Sequence, residues 1–278
     1  MPLRGPGALL LLAPALAMLL ALFVAPIGWF LWDVLVGESS LAEAWTLTVE
    51  ILSSRAVIRA MTLTNLIALV VTLAVLAVGY PVAYALTRAR GLFFVLLIAA
   101  VVLPYFTSAI VRTYSFMVIL GRNGLVNQAL LGLGLISQPL DLLYNRLSVT
   151  IGMTYVLLPY MVLTLYATMR SLDPGLMRAA RGMGATGPQA FRRVFLPLTL
   201  PGVVAGCLMV FILALGFFIT PALMGAPGDA TIAMFIEREI EMTQNWAVAA
   251  VLSLALLAVT LLLYAVYSRF ADLRKVLG

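Results

Sequence analysis

RAARGMGATGPQAFRRVFLPL, residues 178–198, is the stretch that decides how this chain is read. Four arginines, three glycines and two prolines fall within it, yet long apolar runs flank it on both sides. The surrounding chain is 278 residues long, 64% hydrophobic and only 10% charged, with a mean hydropathy of +1.12. A soluble domain of this size carries nearer a quarter charged residues. Apolar runs of about twenty residues or more are the signature of membrane-spanning helices. The expected class is therefore an all-α integral membrane protein, and the basic segment is a connection between spans.

Six spans are expected, at about 8–32, 61–87, 92–120, 147–169, 201–225 and 246–268, within a single membrane domain over 1–278. Each is long enough for about 30 Å of hydrocarbon at 1.5 Å rise per residue. The first follows Arg4 and exceeds the usual signal-peptide core, so it is read as a retained helix with Trp29 and Trp32 as interfacial anchors. With this division, eleven of the lysines and arginines lie on one side and five on the other, with Arg112 inside a span. The positive-inside rule then places both termini and the 170–200 connection in the cytoplasm. Nine of the eleven acids fall on the outer side. The net charge of +6 is thus a topology signal, and nucleic acid is not needed to explain it.

Several chemistries are excluded by composition. There is no histidine, and Cys207 is the only cysteine, so neither a disulfide nor a histidine- or cysteine-built metal site is expected. Cys207 reads as a small buried hydrophobe. Lys275 is the sole lysine and no phosphate-cradling glycine loop precedes it, so no nucleotide site of that kind is expected. Three outer connections stand out. Residues 33–60 could form an interfacial helix, 121–146 hold an apolar loop able to dip back, and 225–245 open on a GAPGD turn.

The 170–200 connection has helical grammar. Asp173 can N-cap a helix with Pro174 at its first position. Leu176, Ala180 and Met183 share one face, and Gly184 suits a left-handed residue ending the helix. Thr186 and Gln189 have capping-box spacing for a second short helix, with Phe191, Val194 and Phe195 on one side and Pro197 as its stop. The result is two short helices at an elbow of small residues, Gly184-Ala185-Thr186. By physics alone it could be an interfacial loop held by lipid phosphates, or a place where another protein's backbone comes close.

The elbow resembles the cytoplasmic loop of bacterial ABC importer permeases, whose pattern is E-A-A, three residues, G, nine residues, then I-x-L-P. Here Ala179-Ala180, Gly184 and Val194-Phe195-Leu196-Pro197 stand at the matching spacing. The resemblance extends over essentially the whole chain. It implies a six-helix type I permease fold in which this loop, with Arg178, Ala179, Ala180, Gly184, Ala185, Thr186 and Pro197, is the coupling helix that docks on an ATP-hydrolysing subunit. Arg178 replaces the family's glutamate, a charge reversal that implies a rewired contact there. Residues 101–127 and 214–225 resemble most closely the spermidine/putrescine importer permeases; permeases for opines, amino-acid-like compounds or phosphonates share much of this pattern.

The resemblance also implies partners. They are two copies of a cytoplasmic ATPase that uses ATP and Mg, a second and related permease, an external substrate-binding protein, and the lipid of the bacterial inner membrane. This chain would bind no cofactor and catalyse no reaction itself. For the path, no acid lies within an expected span, so carboxylates cannot recognise a cation there. Aromatic rings can, at about 2 kcal/mol for a desolvated cation, and Tyr105, Tyr114, Tyr155 and Tyr160 are candidates beside the bland reading of packing and anchoring. Arg112 is the one strong charge inside a span, with Pro104, Ser108 and Ser115 at roughly four-residue spacing on the same face of a continuous helix. It either snorkels to the outer interface or serves structure or gating. An ion-coupled secondary transporter is the rival class, but it would be expected to carry an intramembrane carboxylate.

Overall fold

The computed structural model describes residues 6–37, 40–226 and 228–277, with backbone alone for 6–12, 267 and 270–277. Arg4 and Glu38, and the side chains of Arg274 and Lys275, all used above to orient the chain, lie outside the described residues. All regular structure among those residues is helical, without a strand. In chain order the helices are α1 (Pro6–Leu19), α2 (Ala25–Leu35), α3 (Leu41–Ser53), α4 (Arg55–Arg88), α5 (Gly91–Val102), α6 (Ala109–Leu120) and α7 (Leu125–Gly132). They continue with α8 (Arg146–Ser171), α9 (Pro174–Gly182), α10 (Gly187–Ala190), α11 (Leu196–Leu215), α12 (Ile219–Met224), α13 (Ile232–Glu241) and α14 (Trp246–Leu277). Among the described residues five stretches are long and apolar enough to span a membrane: Ala13–Leu35, Arg55–Arg88, Arg146–Ser171, Gly187–Leu215 and Trp246–Val266. Gly91–Phe106 and Ala109–Gly132 form a sixth only as a pair bent by 109°.

The chain forms two compact units. One comprises 1–58 and 236–255, the other 59–235 and 256–278. In the first, Ser40 and Glu43 close a capping box that starts α3. The Phe30 and Trp246 rings meet edge to face at 5.9 Å. The second unit is built on α8 and α11, whose close approach depends on small residues. A Cβ at Gly202 would collide with the Thr168 side chain, and one at Gly206 would lie 2.7 Å from Met161 Sδ. Met153, Leu157, Met161, Val162 and Leu165 of α8 are fully or almost fully buried there beside Val71 and Val75 of α4.

Two expectations from the sequence are corrected. Pro197 does not end a helix, because backbone continues helically from Gly187 to Leu215. The turn before it, Phe191–Phe195, is a π-helix in which Leu196 N–H reaches Phe191 O, one residue further back than in an α-helix. That wider turn accommodates a ring that would otherwise press on the carbonyl four residues earlier. The same device precedes Pro26, where Leu20–Val24 is a π-turn. Pro201 likewise lies inside α11 rather than at the start of a span. The second correction concerns 92–120, which is not one straight helix. A 3-10 turn at Leu103–Phe106 and extended backbone at Thr107 and Ser108 divide it.

Candidate functional site

The elbow is assembled from local rules. Asp173 Oδ1 accepts the Gly175 N–H at 2.7 Å, and Pro174 opens α9. At the other end Gly184 has φ +90°, Gly184 N–H donates to Arg181 O at 3.0 Å, and Ala185 N–H donates to Ala180 O at 3.1 Å. That paired arrangement is the Schellman ending, which glycine adopts without a Cβ penalty. Thr186 N–H then donates to Gln189 Oε1 at 2.9 Å and begins the next helix.

Of the residues singled out here, Arg178, Ala179, Gly184, Thr186 and Pro197 are exposed, Ala185 is half-buried and Ala180 is buried. Met183, expected on the face shared with Ala180, is instead 83% exposed at the tip. Leu176, Ala180 and Met183 therefore do not share one burial environment, because the helix ends before Met183 can turn inward.

What fixes the elbow to the bundle is aromatic. Phe191 and Phe195 stack at 5.5 Å, and each meets the Tyr84 ring edge-on at 5.3 Å. Tyr80 touches Phe191 at 6.4 Å, and its hydroxyl shares a hydrogen bond of 2.9 Å with Thr199 Oγ1. Arg88 lies over the Tyr84 ring, its guanidinium carbon 4.7 Å from the centroid. Tyr80 and Tyr84 thus connect α4 to the start of α11.

The bend in the third span gathers part of the expected path. Tyr105 and Tyr160 meet edge to face at 5.8 Å. Arg112 Nε is buried without a hydrogen-bond partner among the described residues. Tyr155 stands apart, packed on Phe116 at 4.8 Å. Tyr114 is exposed and, two residues past Arg112, projects from the opposite side of α6. The stripe expected from Pro104 through Ser108 and Arg112 to Ser115 does not form, because the break at 107–108 falls inside it. Ser108 instead begins α6, and its carbonyl accepts the Arg112 N–H at 3.0 Å.

Some organising residues gave no motif to follow. Asn127 is fully buried, donating to Gly121 O and Leu140 O and accepting from Leu140 N–H at 2.8 Å, so it pins the 121–142 connection. Thr113 and Thr220 hydroxyls lie 3.2 Å apart and join α6 to α12. Ser148 donates to Met224 O at 2.8 Å, and Arg146 holds Asp229 through two bonds of 2.8 and 3.0 Å. The bend itself had a signal: Pro104 followed by Thr107-Ser108 interrupts an otherwise apolar run.

Residues 71–274 match the family described as the binding-protein-dependent transport system inner membrane component. The chain belongs to this family. Its relatives in that family include the spermidine/putrescine transport system permease protein PotB of Haemophilus influenzae, 38% identical over 72% of this chain and 70% of the relative. The protein of the same name from Escherichia coli K12 is 37% identical over 74% and 75% of the two chains. Among solved structures, a bacterial ABC transporter involved in alginate import has a TM-score of 0.64 at 18% identity, covering 93% of this chain and 94% of that one. The MetNI methionine transporter gives 0.60 at 18% identity, over 77% and 94%. These likenesses show the fold, that of an ABC importer permease. The chain is therefore a multi-pass inner-membrane component of a transport system.

Proposed function

We propose that this chain forms the translocation path of an ATP-driven polyamine importer, for spermidine or putrescine. The observation that carries it is the 37–38% identity to permeases named for those substrates over nearly three quarters of the chain. With the 170–200 segment and both termini in the cytoplasm, the exposed elbow is the docking site for the ATPase, two copies of which use ATP and Mg. Met183 at its tip offers an adaptable apolar knob, and the exposed Arg178 calls for a carboxylate on the ATPase surface. Tyr84, Phe191 and Phe195 carry movement of the elbow into α4 and α11. A second, related permease completes the path, and an external binding protein delivers the substrate.

The bend at Thr107-Ser108 lines that path. Broken helix is stable at membrane depth only where protein covers it or where it faces a water-filled cavity. Tyr105 and Tyr160 present ring faces to a cation, while Arg112 repels one and so acts as a gate rather than a binding group. Arg112 also favours a second reading, a solute with a carboxylate or phosphonate, which its unpartnered Nε could hold.

The test is ATP-dependent uptake of labelled spermidine and putrescine in proteoliposomes holding this chain, its ATPase, the second permease and the binding protein. Saturable uptake is the expected result. ATP turnover stimulated by the binding protein without polyamine uptake would leave the importer and reject the substrate.

A further inference from the structure

A cavity of about 240 Å³ lies behind the elbow, bounded by the end of α4, the end of α8, the start of α9 and the start of α11. Two arginines line it, Arg88 and Arg170, and neither forms an ion pair with a carboxylate among the described residues. Arg88 is held by stacking on Tyr84, which leaves its N–H edges unpaired by that contact. Asp173 is the one acid in the lining, and its Oδ1 is engaged by the Gly175 N–H. The remaining walls are largely apolar, with Met169, Leu172, Val194, Phe195 and Leu198 among them. Leu198 itself is 40% exposed.

We propose that this cavity is a binding site for the phosphate of an anionic glycerophospholipid. Two positive charges against one carboxylate select an anion. The planar guanidinium groups match phosphate oxygens better than a point charge does. The apolar walls favour a lipid over free phosphate, since they cover the glycerol and first acyl carbons, which a free ion lacks. Basic pockets between helices on the cytoplasmic side are where such headgroups bind. A headgroup there touches α4, α8, α9 and α11 together and so ties the elbow to the bilayer. The site rests on the cytoplasmic placement of 170–200, and not on which solute is carried.

The experiment is native mass spectrometry of the full chain in neutral detergent, titrated with phosphatidylglycerol or phosphatidylcholine. The wild type is expected to retain phosphatidylglycerol in preference to phosphatidylcholine. The double variant Arg88→Gln/Arg170→Gln should bind it about thirtyfold more weakly, at roughly fivefold per arginine. Arg90→Gln, outside the cavity, should match the wild type. A photoreactive phosphatidylglycerol should also label the unaltered chain within 84–88, 169–177 or 194–198, which covers the case of a misfolded variant. Equal retention by wild type and double variant, or labelling elsewhere, would overturn the site. Displacement by inorganic phosphate or glycerol 3-phosphate at equal concentration would make it a free-phosphate site and reject the lipid. Since no transport is measured, failure here is distinct from failure of the polyamine reading. Gly187→Cys in a Cys207→Ala background, probed with a membrane-impermeant thiol reagent, reports the topology separately.

Discussion

The elbow and the bend in the third span are both breaks in helix, but they are held in different ways. At the elbow the break is made by neighbours in sequence: an aspartate cap, a glycine at φ +90° and a threonine–glutamine pair, all within seventeen residues. At Thr107-Ser108 the local bonds come from one residue, Thr107, whose N–H and hydroxyl both donate to Pro104 O. The orientation of α6 beyond it depends on distant partners, Thr220 on α12, Phe116 against Tyr155, and Asn127 gripping Leu140. A locally built break keeps its shape while it moves as a body, which suits a part that receives force. One held by distant helices changes when those helices shift, which suits a part that opens and closes.

The sharpest way to break this contrast is at Gly184. No heavy atom lies within 4 Å of a Cβ built there, so a side chain fits, but φ +90° strains any L-residue by about 1–2 kcal/mol. Gly184→Arg adds bulk at the exposed tip and is expected to abolish ATP-driven uptake while membrane abundance stays normal. Gly184→Ala carries the strain without the bulk and should retain part of the uptake. Full uptake by Gly184→Arg at equal abundance would remove the coupling role from the elbow.

A second measurement asks how the elbow is joined to the bundle. Tyr84→Ala removes two edge-on ring contacts, each worth about 0.5–1.5 kcal/mol, or roughly 1–3 kcal/mol together. The elbow's own caps are untouched. The expected phenotype is uncoupling, with ATP turnover persisting and uptake falling. If both fall in step, Tyr84 serves only stability, and the force path from elbow to α4 is wrong.

The same contrast explains what was legible in the sequence. Caps, left-handed glycines and capping boxes act over three or four residues, so Asp173, Gly184 and Thr186 could be read from their spacing. Pro197 misled because the rule that proline ends a helix assumes an α-helical turn before it, and this turn is a π-helix. The third span read as continuous because Pro104 and Thr107-Ser108 interrupt its apolar run only briefly, and mean hydropathy carries no information about a 109° change of direction. Asn127, Thr113 and Thr220 were invisible for a plainer reason: their partners sit 13 and 107 residues away, and no local pattern marks them. Among the tyrosines, residue type alone could not separate Tyr105 and Tyr160, which meet, from Tyr155, which packs on Phe116.

Distant support at the bend predicts measurable coupling between α6 and α12. Thr113 keeps a bond to Ala109 O at 2.9 Å, so losing Thr220 does not leave its hydroxyl unsatisfied. A double-mutant cycle of Thr113→Val and Thr220→Val should therefore return about 1 kcal/mol in thermal unfolding in detergent. A coupling of zero would mean that packing alone sets the direction of α6.

The weakest of the long-range ties is the Arg146–Asp229 pair, and its pH response tests whether it matters under working conditions. The Asp229 carboxyl is held below its ordinary value of 3.8. The hydrogen bond from Arg146 is the largest cause, with the charges of Arg146 and Arg59 adding to it against some desolvation. A carboxylate held low in the folded state stabilises fully above its unfolded value and gives that up as pH falls through its folded value. Between pH 5 and 8 the pair should therefore contribute constantly, and below about pH 4 it should loosen. Its size is limited because the Arg146 side chain is 57% exposed, though Asp229 is only 15% exposed, so the contribution is about 1 kcal/mol or less. Asp229→Asn should lower the unfolding midpoint slightly at pH 7, and the difference from the wild type should shrink as pH falls below 3.8, closing only once the carboxyl is protonated in the folded state too. A loss that persisted in acid would assign the effect to the shape of the 225–231 turn. Ser148, which holds Met224 O next to it, would then be the stronger anchor of that loop.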